Sequence, residues 1–152
     1  MKKQSKTRKV DTIIIHCSDT YARMNIGAAE IREWHTKERG WQDIGYHFVI
    51  RRDGTVETGR DLDCDGDIFE EIGAHTVNYN RNSIAICMVG GKRDDGLPDN
   101  NFHPKQFKSL DTILRFIKAS YPRATIHGHN EFTNAKTCPN FDVQSWLRGR
   151  LI

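Results

Sequence analysis

Ile13-Ile14-Ile15 stands at the centre of a β-branched run, Val10 to Cys17, and no other stretch limits the fold as strongly. Apolar residues at consecutive positions cannot alternate between core and water, so this is a strand covered on both faces. Ser83 to Val89, closed by Gly90-Gly91, reads as a second buried strand. A chain with two such strands needs helices on either side of a sheet.

The remaining segments supply them. Asn25-Ile26-Gly27 offers caps to a helix over Ala28 to Arg39, in which Ile31, Trp34 and His35 share a face and Gly40 is the stop. His35 is expected to pack or snorkel on that face. Trp41 to Gly45 is a turn feeding a strand over Tyr46 to Arg51; with Asp53-Gly54 and a strand over Thr55 to Gly59 it forms a hairpin. Alternation sends Tyr46 and His47 to opposite faces unless the strand begins irregularly. Gly73 to Asn82 is a polar, Asn-rich loop, and Lys92 to Asn101 a charged surface connection. Pro104 opens a long amphipathic helix carrying Phe107, Leu110, Ile113, Leu114 and Ile117, which ends before Pro122. Thr125-Ile126-His127 is a short strand, and Asp142 caps a last helix bearing Val143, Trp146 and Leu147. The expected architecture is α/β, a single mixed β-sheet flanked by helices. Residues 10–152 form one domain, preceded by a flexible basic tail over residues 1–9.

Asp61 to Ile72 imitates a calcium loop, with acidic residues at its first, third and fifth places and Gly66 at the sixth. The twelfth place, where a bidentate Glu closes the shell, is Ile72, so a solvated acidic insertion is expected instead.

Composition excludes several classes. No apolar run approaches the ~18 residues of a membrane span. A net charge of +3 is too mild for a nucleic-acid partner, though compatible with an anionic polymer such as a cell wall. Cys17, Cys64, Cys87 and Cys138 form no CxxC pair, which suits a reducing compartment. The basic start is followed by too short an apolar segment for an export signal, so a cytoplasmic monomer is expected.

The chemistry gathers near the end, in Ile126-His127-Gly128-His129-Asn130-Glu131 and Lys136-Thr137-Cys138-Pro139. His129 and Cys138 are too far apart for one helix face, so a loop must fold back to join them. His16, where the first strand runs out, is the best third partner. Two His and one Cys, with a fourth position left to water, is the donor set of a catalytic zinc site. His127 is expected to point away from His129 and to serve the strand.

The runs IIIHCS, EIREWH, GWQDIGYHF, RRDGTVETGRD, GAHTVNYNRNSIAICMVGG and HNEF…KTCPNFD resemble the zinc-dependent N-acetylmuramoyl-L-alanine amidases of the amidase-2 and peptidoglycan-recognition-protein group, most closely the small coliphage amidase-type lysozymes. The likeness spans about Ile13 to Trp146. It implies His16, His129 and Cys138 as zinc ligands, Tyr46 and Lys136 as catalytic residues, and His75, Asn78, Asn80 and Asn82 along the substrate groove. It further implies peptidoglycan as partner, cleaved between N-acetylmuramic acid and L-alanine, by a phage or prophage endolysin reaching the wall after release. The spacing from His129 to Cys138 and the acidic insertion after Arg60 depart from the phage pattern. Two alternatives remain at this point: a peptidoglycan-binding module without turnover, against which Cys138 argues, and an added role as an RNA polymerase-binding regulator, for which the sequence has no marker.

Overall fold

The computed structural model describes residues 8–152. In chain order its elements are β1 (Thr12–Cys17), β2 (Thr20–Tyr21), α1 (Ala28–Glu33), β3 (Phe48–Ile50), β4 (Val56–Thr58), β5 (Ser83–Met88), β6 (Gly91–Lys92), α2 (Pro104–Ser120), β7 (Thr125–Gly128) and α3 (Val143–Leu147). Five strands form one sheet in the order β4-β3-β5-β1-β7. β3, β5, β1 and β7 run parallel, and β4 closes the edge antiparallel. The mixed α/β architecture is therefore as the sequence implies. β1 lies between β5 and β7, which accounts for the complete burial of Ile13, Ile14 and Ile15. Beside this main sheet, β2 and β6 pair as a small two-stranded ladder. Two-residue strands carry no readable periodicity.

The sheet divides the core by residue parity. Ile13, Ile15 and Cys17 pack with Ile84, Ile86 and Met88 beneath Leu110, Leu114 and Ile117 of α2 and Val143 of α3. On the other side Val49, Cys87 and Val89 meet Ala28 and Ile31 of α1. His16 lies opposite Cys87 in register and so belongs to the α1 side. Gln106 latches α2 to the sheet: buried, it donates to the Ile50 and Val89 carbonyls and accepts from Arg52 and the His103 N–H. All its polar atoms are thereby satisfied, as burial requires.

The helix expected over Ala28 to Arg39 changes character. After Glu33 the chain continues as a π-helical turn, Trp34–Glu38, and Gly40 ends it at φ +71°. His35 is buried there, its Nδ1 accepting the Gly45 N–H at 2.9 Å, so it packs rather than snorkels.

The acidic insertion is tied to the core. Ile68 is buried, and the Phe69 ring meets Phe48, Phe116 and Tyr121. The picture of a wholly solvated segment is thus corrected. Its carboxylates crowd: Asp61, Asp63 and Asp65 lie together, as do Asp63, Glu70 and Glu71. Loss of water and hydrogen bonding to Asp65 and Asp63 raise Glu70 to about 7.

Most of the expected tail, residues 1–7, lies outside the described residues. Arg8 is no tail residue: it donates to the carbonyls of Phe69 at 2.8 Å, Arg81 at 3.0 Å and Ser83 at 2.7 Å. Val10, where the domain is expected to begin, is buried. Among the described residues no helix is long and apolar enough to cross a membrane.

Two buried histidines set a pH response. His47 accepts the Ala85 N–H at Nδ1 and lies 2.7 Å from the Glu71 carbonyl at Nε2, where it donates. Burial lowers it from 6.5 to about 3; burial, then Arg39 and Arg60, lower His35 to about 4. In the unfolded chain both titrate near 6.5. Between that value and their folded ones the unfolded chain binds more protons, so their contribution is complete above about pH 6.5 and is lost as pH falls. Urea-unfolding midpoints are expected to drop steadily from pH 7 to 4.5. A flat profile would contradict the neutral buried state.

Candidate functional site

His16 is the penultimate residue of β1 and His129 follows directly on β7, so two imidazoles leave the carboxyl ends of adjacent parallel strands. Open α/β sheets form their ligand clefts there. The chain then loops out and back, closed by the Asn130 N–H donating to the Cys138 carbonyl at 2.8 Å. That sets the Cys138 sulfur against β1, where it accepts the Cys17 N–H at 3.1 Å and lies 3.8 Å from His16 Nδ1. One ligand atom from each of His16, His129 and Cys138 falls within 4.8 Å of the others, and together they can hold a metal ion.

The surroundings prepare these donors. His16 Nε2 is 2.9 Å from His75 Nδ1, and His75 Nε2 is 3.1 Å from Ser83 Oγ. Protons on the two Nε2 atoms, donated along this chain, leave the His16 Nδ1 lone pair facing Cys138; the tautomers are assigned from the network. A second partner on the far ring nitrogen is how proteins orient metal-binding imidazoles. Burial, then His129 and His47, hold His16 well below 6.5, in the neutral form a metal requires. Burial, then Lys136, lower His129.

These residues floor a cleft of about 1030 Å³. Ring contacts run from His16 to Tyr46 at 5.0 Å, Tyr46 to His35 at 5.5 Å and His35 to Trp41 at 4.6 Å. Tyr79 and Phe132, 4.4 Å apart, join the loop that carries His75 to the one that follows His129. Burial, then the thiols of Cys87, Cys138 and Cys17, raise the Tyr46 phenol well above 10. It therefore keeps its proton at physiological pH. Tyr46 lines the cleft while His47 turns into the core, the separation that strand alternation predicts.

Lys136, His75, Asn78 and Asn80 also line the cleft; Asn82 does not. The Asn82 carbonyl instead accepts the Asp11 N–H at 3.0 Å. Asn80 Oδ1 accepts the N–H groups of His75 and Thr76, shaping the loop, and Asn78 takes the left-handed conformation that a tight turn needs. His75 is committed to His16. His127 pairs with Glu131 at 2.9 Å and Thr125 at 2.9 Å, outside the metal cluster. Its separation from His129 needs a different reason from strand direction, since positions two apart share a face. The strand ends at Gly128, and the Glu131 pairing turns the ring aside. His35, Arg39, Trp41 and Phe132 were not foreseen as cleft residues, whereas Tyr79 belongs to the Asn78 to Asn82 loop that the resemblance places along the groove. The first three lie in and just after the π-helical turn, which has no sequence signature.

With the geometry in hand, comparison with known proteins is direct. The N-acetylmuramoyl-L-alanine amidase family profile matches residues 6–141. The endolysin of Enterobacteria phage K11 is 44% identical over 149 residues, covering 97% of this chain and 93% of that protein. The endolysin of Escherichia phage T7 is 46% identical over 144 residues, covering 94% and 89%. Among solved structures, an endolysin N-acetylmuramoyl-L-alanine amidase from Clostridium intestinale superposes with a TM-score of 0.76 at 26% identity, covering 95% of this chain and 84% of the other.

Proposed function

Since the chain belongs to the N-acetylmuramoyl-L-alanine amidase family and is a peptidoglycan amidase, we propose that it works as a zinc enzyme of phage lysis, with His16, His129 and Cys138 as ligands. The observation that carries this is the convergence of two imidazole nitrogens and one sulfur within 4.8 Å on the floor of the cleft. Nitrogen and thiolate donors in threes, with room for one more, suit catalytic zinc better than calcium or magnesium, which take oxygen. The Cys17 N–H donates to the Cys138 sulfur and holds it in place beside His16.

Zinc bound there supplies a Lewis acid that makes hydroxide available near neutral pH. The chain's own groups do the rest. His75 fixes the His16 tautomer and ring plane. Lys136 meets the carbonyl oxygen of the N-acetylmuramoyl-L-alanine amide as negative charge grows on it. Tyr46, held as a phenol, hydrogen-bonds the attacking oxygen or the departing L-alanine nitrogen and is no base. Similarity to endolysins of two phages supports lysis at the end of infection as the setting.

Mass spectrometry of purified cell wall digested by the zinc-loaded protein tests the reading. Stem peptides with a free L-alanine amine should appear while glycan strands keep their length, and a chelator should abolish both release and lysis. Full activity in metal-free protein, or new reducing sugar ends, would overturn it.

A further inference from the structure

We propose that residues 61–71 hold one calcium ion, between the carboxylates of Asp61, Asp63, Asp65, Glu70 and Glu71. Asp61, Asp63 and Asp65 present oxygens within 4.8 Å of one another, as do Asp63, Glu70 and Glu71, and Asp63 joins the two groups. Oxygens roughly 2.3–2.6 Å from one calcium ion are at most about 5 Å apart, so both groups fit a single shell. The acid missing at the twelfth place of the loop is supplied from within it. A 3₁₀ turn at Ile68–Glu70 folds the chain back, and Glu70 and Glu71, the tenth and eleventh places, reach Asp63 where Ile72 offers no ligand.

Crowded acids in water would say little, since solvent and salt screen them. Here part of the cluster is dry. Asp61 Oδ2 accepts the Gly66 N–H at 2.9 Å, but Asp61 Oδ1 is shut off from solvent and has no hydrogen-bond donor; Glu70 Oε2 is in the same state. Glu71 is only 7% exposed, and its charge is supported by the Leu62 N–H and, from beyond ion-pair distance, by Arg60. Burying carboxylate oxygens with neither donor nor counter-charge is costly, and a cation bound among them removes that cost.

The donor set selects the ion. Cys64 lies in the loop but outside both groups, so the shell is oxygen alone, unlike the one at His16. Magnesium demands a near-ideal octahedron and keeps several waters, whereas a carboxylate-rich, partly dry shell suits the looser and higher coordination of calcium. An ion there ties the insertion to the sheet, because the Phe69 ring meets Phe48 and the Glu71 carbonyl accepts from His47 at 2.7 Å. The inference stands apart from the zinc chemistry, and either can fail alone.

The test is calorimetric titration of the zinc-loaded full chain, in calcium-free buffer, with calcium chloride and with magnesium chloride. One calcium per chain should bind with a Kd of about 10⁻⁵–10⁻³ M, and magnesium at least about tenfold more weakly. Asp63→Asn and Glu70→Gln should each weaken calcium about tenfold or more, the size of a lost charge-assisted contact, while Cys138→Ser leaves it unchanged. The melting temperature of wild type should rise with calcium. Without calcium, Asp63→Asn should melt no lower than wild type, because its amide oxygen still accepts the Asp65 N–H and one repulsion is gone; only the calcium-dependent rise should vanish. Absence of heat and of a melting shift at about 10 mM calcium, above the loosest range for such loops, would overturn the proposal. So would equal binding of magnesium, acidic-loop variants that bind calcium as wild type does, or loss of the signal in Cys138→Ser.

Discussion

Cys138→Ser protein is expected to purify without zinc and to cleave peptidoglycan more than about a hundredfold more slowly than wild type. Partners that merely orient ligands cost 10–100-fold in affinity or activity when removed, so loss of a ligand exceeds that range. A serine hydroxyl stays protonated near neutral pH and offers a hard, neutral oxygen where the site presents a sulfur. The fold should survive, because Cys138 is only partly buried and lies on a loop outside the sheet. Metal analysis by mass spectrometry beside circular dichroism separates the effects. One zinc per folded chain with full turnover would sink the ligand assignment.

Lys136→Ala should lower kcat by roughly 10²–10³ while leaving zinc content intact, the range for removing one donor to a developing oxyanion. Lys136 is near enough to His129 to help depress its pKa, which places its charge beside the metal cluster. Its exposed stem contributes little to packing, so stability should hold. The discriminating measurement is the split between kcat and KM. A change confined to KM would make Lys136 a binding residue and leave the oxyanion without a side-chain partner.

Much of this site is legible in the sequence because its chemistry is local to recognisable elements. His16 ends the most apolar strand, and the residues around His129 and Cys138 cannot continue a helix or strand. What could not be read is long-range. Position 75 reads as a groove residue, which it is, but the sequence does not show that the fold also brings it 2.9 Å from His16. Arg8 looks like a solvated tail residue until three carbonyls from separate segments surround it. The π-helical turn at Trp34–Glu38 has the composition of an ordinary helix, so nothing announced that His35, Arg39 and Trp41 would build a wall. The two-residue strands β2 and β6 are defined only by each other.

Of the three proposed ligands, His16 is built into the central strand, whereas His129 and Cys138 bracket one loop joined by the Asn130 N–H donating to the Cys138 carbonyl. Removal of zinc is therefore expected to loosen that one loop and to leave the strand ladder intact. A folded apoprotein is the expected outcome, with the His16 imidazole kept in place by its strand for reloading.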